Sequence, residues 1–162
     1  MYNNPMSHDY TEPPAGWRIY RVGQGVLVEN GSVLLSGNRW YSDKPLVWAL
    51  PGGRAEDGES VAEAVAREFK EETGLEVEVG GLAFIAEARN LKERKLFLTC
   101  AFTVKRLGGE PNCENDPVVE ELRFVALDKL GAHLPSASLG DPLRWYIENG
   151  GKGARYWFFS EY

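Results

Sequence analysis

The sequence predicts an α/β fold, an α/β/α sandwich around a mixed β-sheet. Two observations carry this. Apolar, strand-like segments stand both before and after one amphipathic helical stretch at residues 60–74. A second helical pattern follows near the C-terminal end, at 141–149. Sheets with helices on both faces are the layered solution for such an order. The length of 162 residues fits one compact domain with a sizeable core.

Residues 1–16 are polar and carry Pro5, Pro13 and Pro14. They read as a flexible tail, an arm over the surface or a segment that closes a dimer, ahead of a single domain at 17–162. Trp17 to Glu29 is strand-like, and Asn30-Gly31 joins it to a second apolar run, SVLLSG. Asn-Gly between two such runs predicts a type I′ hairpin. Asn38 to Pro45 holds Arg39, Trp40, Tyr41 and Lys44, too polar for core and too aromatic for a plain linker. Two readings stand for it. The aromatics stack on a base while Arg39 or Lys44 meets phosphate, or Trp40 simply packs on the sheet surface. VWAL then leads as a short strand into Pro51-Gly52-Gly53.

Ser60 is placed to N-cap the helix, with Glu63 three residues on completing a capping box. Gly74 is the natural C-cap. Val61, Ala62, Val65, Ala66 and Phe69 recur at helical spacing, and Arg67, Glu68, Glu71 and Glu72 are expected on the opposite side. Glu68, Glu71 and Glu72 span an arc of about 100°. Three carboxylates so close repel one another, and a divalent cation would remove the conflict. Hard oxygen ligands suit magnesium or manganese. The plainer reading is a solvated acidic face with Arg67 and Glu71 as an i,i+4 pair.

Further on, LEVEVG, LAFIAEA and KLFLTCAFTV read as strands. The loop from Arg89 to Arg94 between the last two carries charges that are either solvated or phosphate-binding. Arg106 to Asp116 reads as a loop, LRFVAL as a strand, and Asp128 to His133 as a helical turn. Leu134 to Gly140 is expected as a loop, with Asp141 capping the last helix and Pro142 at its first position. RYWFF reads as a strand or packing segment.

The pattern from Gly53 to Leu75 decides between the readings of the acidic helix. Gly53, five residues, Glu59, seven residues, Arg67-Glu68, the apolar Phe69, one residue, Glu71-Glu72, one residue, Gly74 and the apolar Leu75 match every fixed position of the Nudix box. The sequence therefore resembles the Nudix hydrolases, and the resemblance implies their fold. It also implies a magnesium-dependent enzyme that cleaves a pyrophosphate bond in a nucleoside diphosphate linked to another group. In that reading Gly53, through its carbonyl, and Glu68, Glu71 and Glu72 hold the metal. Glu59 and Arg67 form a structural pair in which Arg67 orients the carboxylates. The general base lies either in the box, as Glu68 or Glu71, or on a later loop, where Glu120 and Glu121 are the candidates. Arg39, Trp40, Tyr41, Lys44 and Arg54 are the candidates for substrate contact. The implied partner is a small nucleotide-type diphosphate, on a monomer or homodimer. The alternative carried by the same family is a nucleotide-sensing module that does not cut.

Outside the box, the subclass markers are missing. ADP-ribose hydrolases often carry a proline shortly past the box, where this chain has Asn90 and Leu91. Dinucleoside-polyphosphate hydrolases often carry a tyrosine slightly further on, where Lys92, Glu93 and Arg94 stand. The coenzyme A signature is absent too. The net charge of −6 argues against a broad nucleic-acid surface. Two cysteines, Cys100 and Cys113, lie in no zinc-like or redox spacing, so a reducing cytoplasmic setting is expected, with Cys100 a buried thiol. No apolar run reaches membrane-spanning length.

Overall fold

The computed structural model describes residues 16–134 and 137–160. The expected tail, 1–16, lies outside the described residues except for Gly16. Among the described residues nine strands and three α-helices follow in order: β1 (Arg18–Val26), β2 (Val28–Glu29), β3 (Ser32–Asn38), β4 (Val47–Ala49), β5 (Gly52–Arg54), α1 (Val61–Thr73), β6 (Glu76–Asn90), β7 (Lys95–Gly108), β8 (Val119–Ala126), α2 (Leu130–His133), α3 (Ala137–Glu148) and β9 (Arg155–Phe159). The α/β/α layering is present, but the single mixed sheet expected from sequence resolves into two. One has the order β5-β1-β7-β6-β9, with β1 parallel to β7 and β6 parallel to β9. In the other, β3 pairs with β8 on one side and with β2 and β4 on the other.

The Asn30-Gly31 turn forms as its chemistry demands. Both residues take positive φ, 48° and 72°, which the type I′ turn requires. On β3 the two-residue period then sorts the side chains. Val33 and Leu35 join the core beneath α2 and α3, while Leu34 joins the cluster under α1. This alternation matters for the site, because Ser36 and Asn38 continue the row that Leu34 begins.

Helix α1 is built as its sequence specifies. Ser60 Oγ accepts from the Glu63 N–H at 3.2 Å, and Glu63 accepts in return from the Ser60 N–H at 2.8 Å. Gly74 closes the helix with φ 70°. Val65 and Phe69 are fully buried and face two glycines of β1. A Cβ at Gly25 would lie 2.6 Å from the Phe69 ring, so the helix reaches the sheet because β1 is bare there.

Two elements differ from the sequence reading. LEVEVG and LAFIAEA are one long strand, β6, whose register against β7 slips between Val79 and Phe84. The Gly80-Gly81 pair marks a bulge rather than a break. Helix α3 begins at Ala137, so Asp141 is not its cap, and Pro142 lies inside it. Packing overrides the local signal here. Leu143 and Tyr146 anchor the helix in the core, and Gly140 fits against the Leu134 carbonyl with no room for a Cβ. Of the thiols, Cys100 is half-buried rather than buried, and both cysteines are free. Among the described residues no helix is long and apolar enough to cross a membrane.

Candidate active site

The site is assembled where the glycine turn meets α1. Gly52 and Gly53 pair with Gln24 and Gly23 of β1. Gly52 takes φ 147°, and a Cβ on it would fall 2.1 Å from the Gly23 carbonyl oxygen. A Cβ on Gly53 would fall 2.4 Å from the Glu68 carboxyl carbon. The backbone at Gly53 therefore lies directly against the Glu68 carboxylate, an approach only glycine permits.

Arg67 is the hub of the helix surface. Its guanidinium donates to both Glu59 oxygens, at 2.9 and 3.0 Å, in a fork. It also reaches Glu68 at 2.8 Å, Glu71 at 3.1 Å and the Arg54 carbonyl at 3.0 Å. Arg21 ties down the same loop through the Glu59 and Glu56 carbonyls, each at 3.0 Å. Hydrogen bonding from Arg67, helped by the Glu56 N–H, holds the Glu59 carboxyl down at about 2. The expected Glu59–Arg67 pair is thus present, with Arg67 also in contact with Glu68 and Glu71.

Glu72 does not lie opposite the apolar stripe, where the helical spacing was expected to put it. Val65, Phe69 and Glu72 stand at i, i+4 and i+7, so Glu72 occupies a core position and is 7% exposed. Its carboxylate accepts from the Gly52 N–H at 3.1 Å. Burial pushes its pKa up to about 8 against that hydrogen bond, and the charges of Glu68 and Asp116 push the same way. Glu68 is raised too, first by burial, with Arg67 opposing and Glu71 and Asp116 adding. Asp116 is the acidic residue that sequence reasoning missed. Its signal was its place in the loop before β8, one residue before Pro117.

A cleft of about 620 Å³ opens beside these groups. Glu68, Glu72, Gly52, Gly53 and Asp116 line one part, and Phe84, Ala86, Ala88 and Phe97 line an apolar wall. Trp40 and Arg54 also line it. Trp40 is 54% exposed at the mouth. The Arg54 guanidinium sits 4.1 Å over the Tyr20 ring, and Tyr20 stacks on Phe97 with centroids 5.0 Å apart.

Other candidates lie elsewhere. Glu71 is exposed and held by Arg67, and it does not line the cleft. Arg39 forks onto Glu120 at 2.9 and 2.8 Å, so neither lines the cleft. The pairing of β3 with β8 slips at Gly37/Asn38, leaving Glu120 as the extra residue of a bulge that turns it toward Arg39. Glu121 pairs with Arg123. Lys44 lies 4.7 Å over the Tyr41 ring, and neither lines the cleft. Among the described residues, no three acidic, histidine or cysteine side chains close into a ready-made metal cage.

An α/β/α frame that sets a carboxylate-bearing helix against a glycine turn at an open cleft defines a Nudix-type domain. The chain belongs to the Nudix hydrolase family: the NUDIX domain model matches residues 19–146. It is 39% identical over 106 residues to an ADP-ribose pyrophosphatase of Methanocaldococcus jannaschii, covering 65% of this chain and 61% of that protein. It is 37% identical over 121 residues to an RNA pyrophosphohydrolase of Novosphingobium aromaticivorans, covering 72% of each. A NUDIX hydrolase structure from Nitrosomonas europaea superposes with a TM-score of 0.72 at 18% identity, over 82% of this chain and 90% of that one; it shares the fold. The chain spans 61%, 47% and 29% of the length of the first three curated relatives it matches.

Proposed function

We propose that the protein is a magnesium-dependent pyrophosphohydrolase that cleaves a nucleoside diphosphate linked to another group, such as a nucleoside triphosphate or a nucleotide sugar. One observation carries the reading. Glu68 and Glu72 of one helix and Asp116 of a facing loop line a single cleft with the Gly52-Gly53 turn. The volume of about 620 Å³ lies within the range of small-molecule sites. Names among the relatives, ADP-ribose pyrophosphatase and RNA pyrophosphohydrolase, support diphosphate chemistry without choosing the substrate.

The residues fit a hard divalent cation. Every donor offered is oxygen, and Glu72 is a buried carboxylate to which no arginine or lysine among the described residues is bonded. The Gly53 backbone lies against Glu68 with no side chain between. An open, incomplete set suits magnesium, which keeps several waters, and manganese takes the same donors. Glu68 and Glu72, with the Gly53 carbonyl, would hold it, while Glu71 is bonded to Arg67 outside the cleft lining. When bound, the ion supplies charge neutralisation for the phosphates and acidifies water.

The chain's own groups do the rest. Arg67 fixes Glu68 in place and, through Glu59, locks the turn to the helix. Asp116 faces the cleft and is the general base of this reading, taking the proton as a water oxygen bonds to phosphorus. The anhydride P–O bond breaks, and the departing phosphate keeps the bridging oxygen. Arg54 meets phosphate charge, while Trp40 and Phe97 offer aromatic surface to a base.

The test is hydrolysis of a panel with and without magnesium: nucleoside triphosphates, oxidised ones among them, ADP-ribose, nucleotide sugars, dinucleoside polyphosphates and coenzyme A. Magnesium-dependent release of a phosphorylated product by the native chain, absent with Glu72→Gln, supports the reading. Ligand binding without turnover across the panel would replace it with a nucleotide-sensing module.

A further inference from the structure

Four polar or charged side chains are buried among the described residues: Ser36, Asn38, Glu72 and Thr73. Thr73 serves its own helix end, bonding the Phe69 carbonyl and the Leu75 N–H. The other three line the same cleft. Ser36 and Asn38 come from β3, which contributes nothing to the box, and neither has an assigned role.

Their placement follows from two periodicities meeting. Leu34 packs in one cluster with Val65 and Phe69. Two residues on along the strand is Ser36, and three residues on along the helix is Glu72. The strand row Leu34, Ser36, Asn38 and the helix row Val65, Phe69, Glu72 therefore run side by side, and the polar members fall together at the cleft end. Gly52, whose N–H donates to Glu72 at 3.1 Å, is three residues past Ala49, the partner of Ser36 in the β3–β4 pairing.

The hydrogen bonds have a direction. Asn38 Nδ2 donates to the Ser36 carbonyl at 3.1 Å, to Ser36 Oγ at 3.2 Å and to the Val47 carbonyl at 3.2 Å. The three acceptors fix the orientation of the amide. Ser36 Oγ, already accepting from Asn38, has one hydrogen left to give. Glu72 shares the cleft lining with it, and the hydroxyl acts on that carboxylate as a hydrogen-bond donor.

We propose that Ser36 and Asn38 are positioning residues for Glu72: Asn38 orients the Ser36 hydroxyl, and the hydroxyl and the Gly52 N–H hold the carboxylate from two sides in the pose that receives a divalent cation. This rests on the proposed magnesium-dependent function. Groups that orient a metal ligand cost roughly 10–100-fold in metal affinity when removed, whereas groups that merely fill the core do not.

The experiment is calorimetric titration of magnesium into metal-free protein, beside thermal unfolding in chelator. Ser36→Ala is expected to weaken magnesium binding about tenfold with little change in metal-free unfolding temperature, and Asn38→Ala to weaken it too. Ser36→Thr, which keeps the hydroxyl, is expected to recover most of the native affinity. Native affinity in folded Ser36→Ala, or affinity as poor in folded Ser36→Thr as in Ser36→Ala, would overturn the proposal. So would failure of both alanine variants to fold by circular dichroism, since the network would then serve the fold. Absence of magnesium binding by the unaltered chain would instead overturn the proposed function, and this inference with it.

Discussion

Arg67 grips Glu59 with two parallel hydrogen bonds, 2.9 and 3.0 Å, while the same guanidinium touches Glu68 at 2.8 Å. The loop before the helix and the carboxylate over Gly53 are thus held by one side chain. Arg67→Ala should therefore lower turnover and stability together, the latter by about 1–3 kcal/mol. Arg67→Lys should recover little, because an ammonium cannot reproduce the planar fork. Denaturant unfolding and steady-state rates on the same preparations check both. Unchanged rates in Arg67→Ala would remove its orienting role.

The Glu59 pair predicts a pH dependence. The folded carboxyl sits at about 2 against an ordinary 4.5. A depressed carboxyl contributes stability that is present above its unfolded value and is lost as pH falls toward the folded one. Glu59→Gln should thus be less stable than the native chain at neutral pH, and the difference should shrink between about pH 4.5 and 2. Thermal unfolding across that range measures it. A difference that stays constant with pH would rule out the ion pair as its source.

Glu72→Gln should keep the fold and lose most magnesium-dependent turnover. Replacing a buried carboxylate by a neutral amide removes a desolvation cost, so the metal-free variant should unfold no lower than the native chain. Magnesium should raise the native unfolding temperature and leave that of the variant nearly unmoved. Near-native activity in this variant would discard the metal assignment.

Gly53→Ala should act on the site through space alone. Its Cβ would arrive 2.4 Å from the Glu68 carboxyl carbon, forcing that side chain away. Turnover should fall about tenfold or more, as for other displaced metal-site groups. The measurement is the magnesium concentration for half-maximal rate, which should rise.

Two candidate carboxylates, Asp116 of the loop before β8 and Glu120 of β8, separate on one comparison. Asp116→Asn should lower the rate by roughly 10²–10⁴ if Asp116 takes the proton. Glu120→Gln, at a carboxylate committed to Arg39 outside the cleft, should leave the rate nearly unchanged. The opposite ranking would return the base to Glu120 on β8.

Much of this was legible in the sequence because it depends on near neighbours. The capping box at Ser60 and Glu63, the C-cap at Gly74 and the Asn30-Gly31 hairpin are local chemistry, and each formed as expected. The spacing from Gly53 to Leu75 likewise identified the family before any contact was seen. Local chemistry misled where packing had the final word. Pro142 looked like a helix start and lies inside α3. Glu120 looked like a cleft carboxylate and is turned away by a bulge.

The sequence by itself determined the helix, its caps, the glycine turn and the carboxylates of the helix. Only the tertiary structure decided which of those carboxylates face the cleft. Burial of Glu72, the approach of Gly53 to Glu68, the arrival of Asp116 and the row of Ser36 and Asn38 all join segments far apart in the chain. Side-chain direction across such distances is set by which strands pair, where a bulge shifts the register and where a glycine leaves room, and these are properties of the packed sheets rather than of any one stretch.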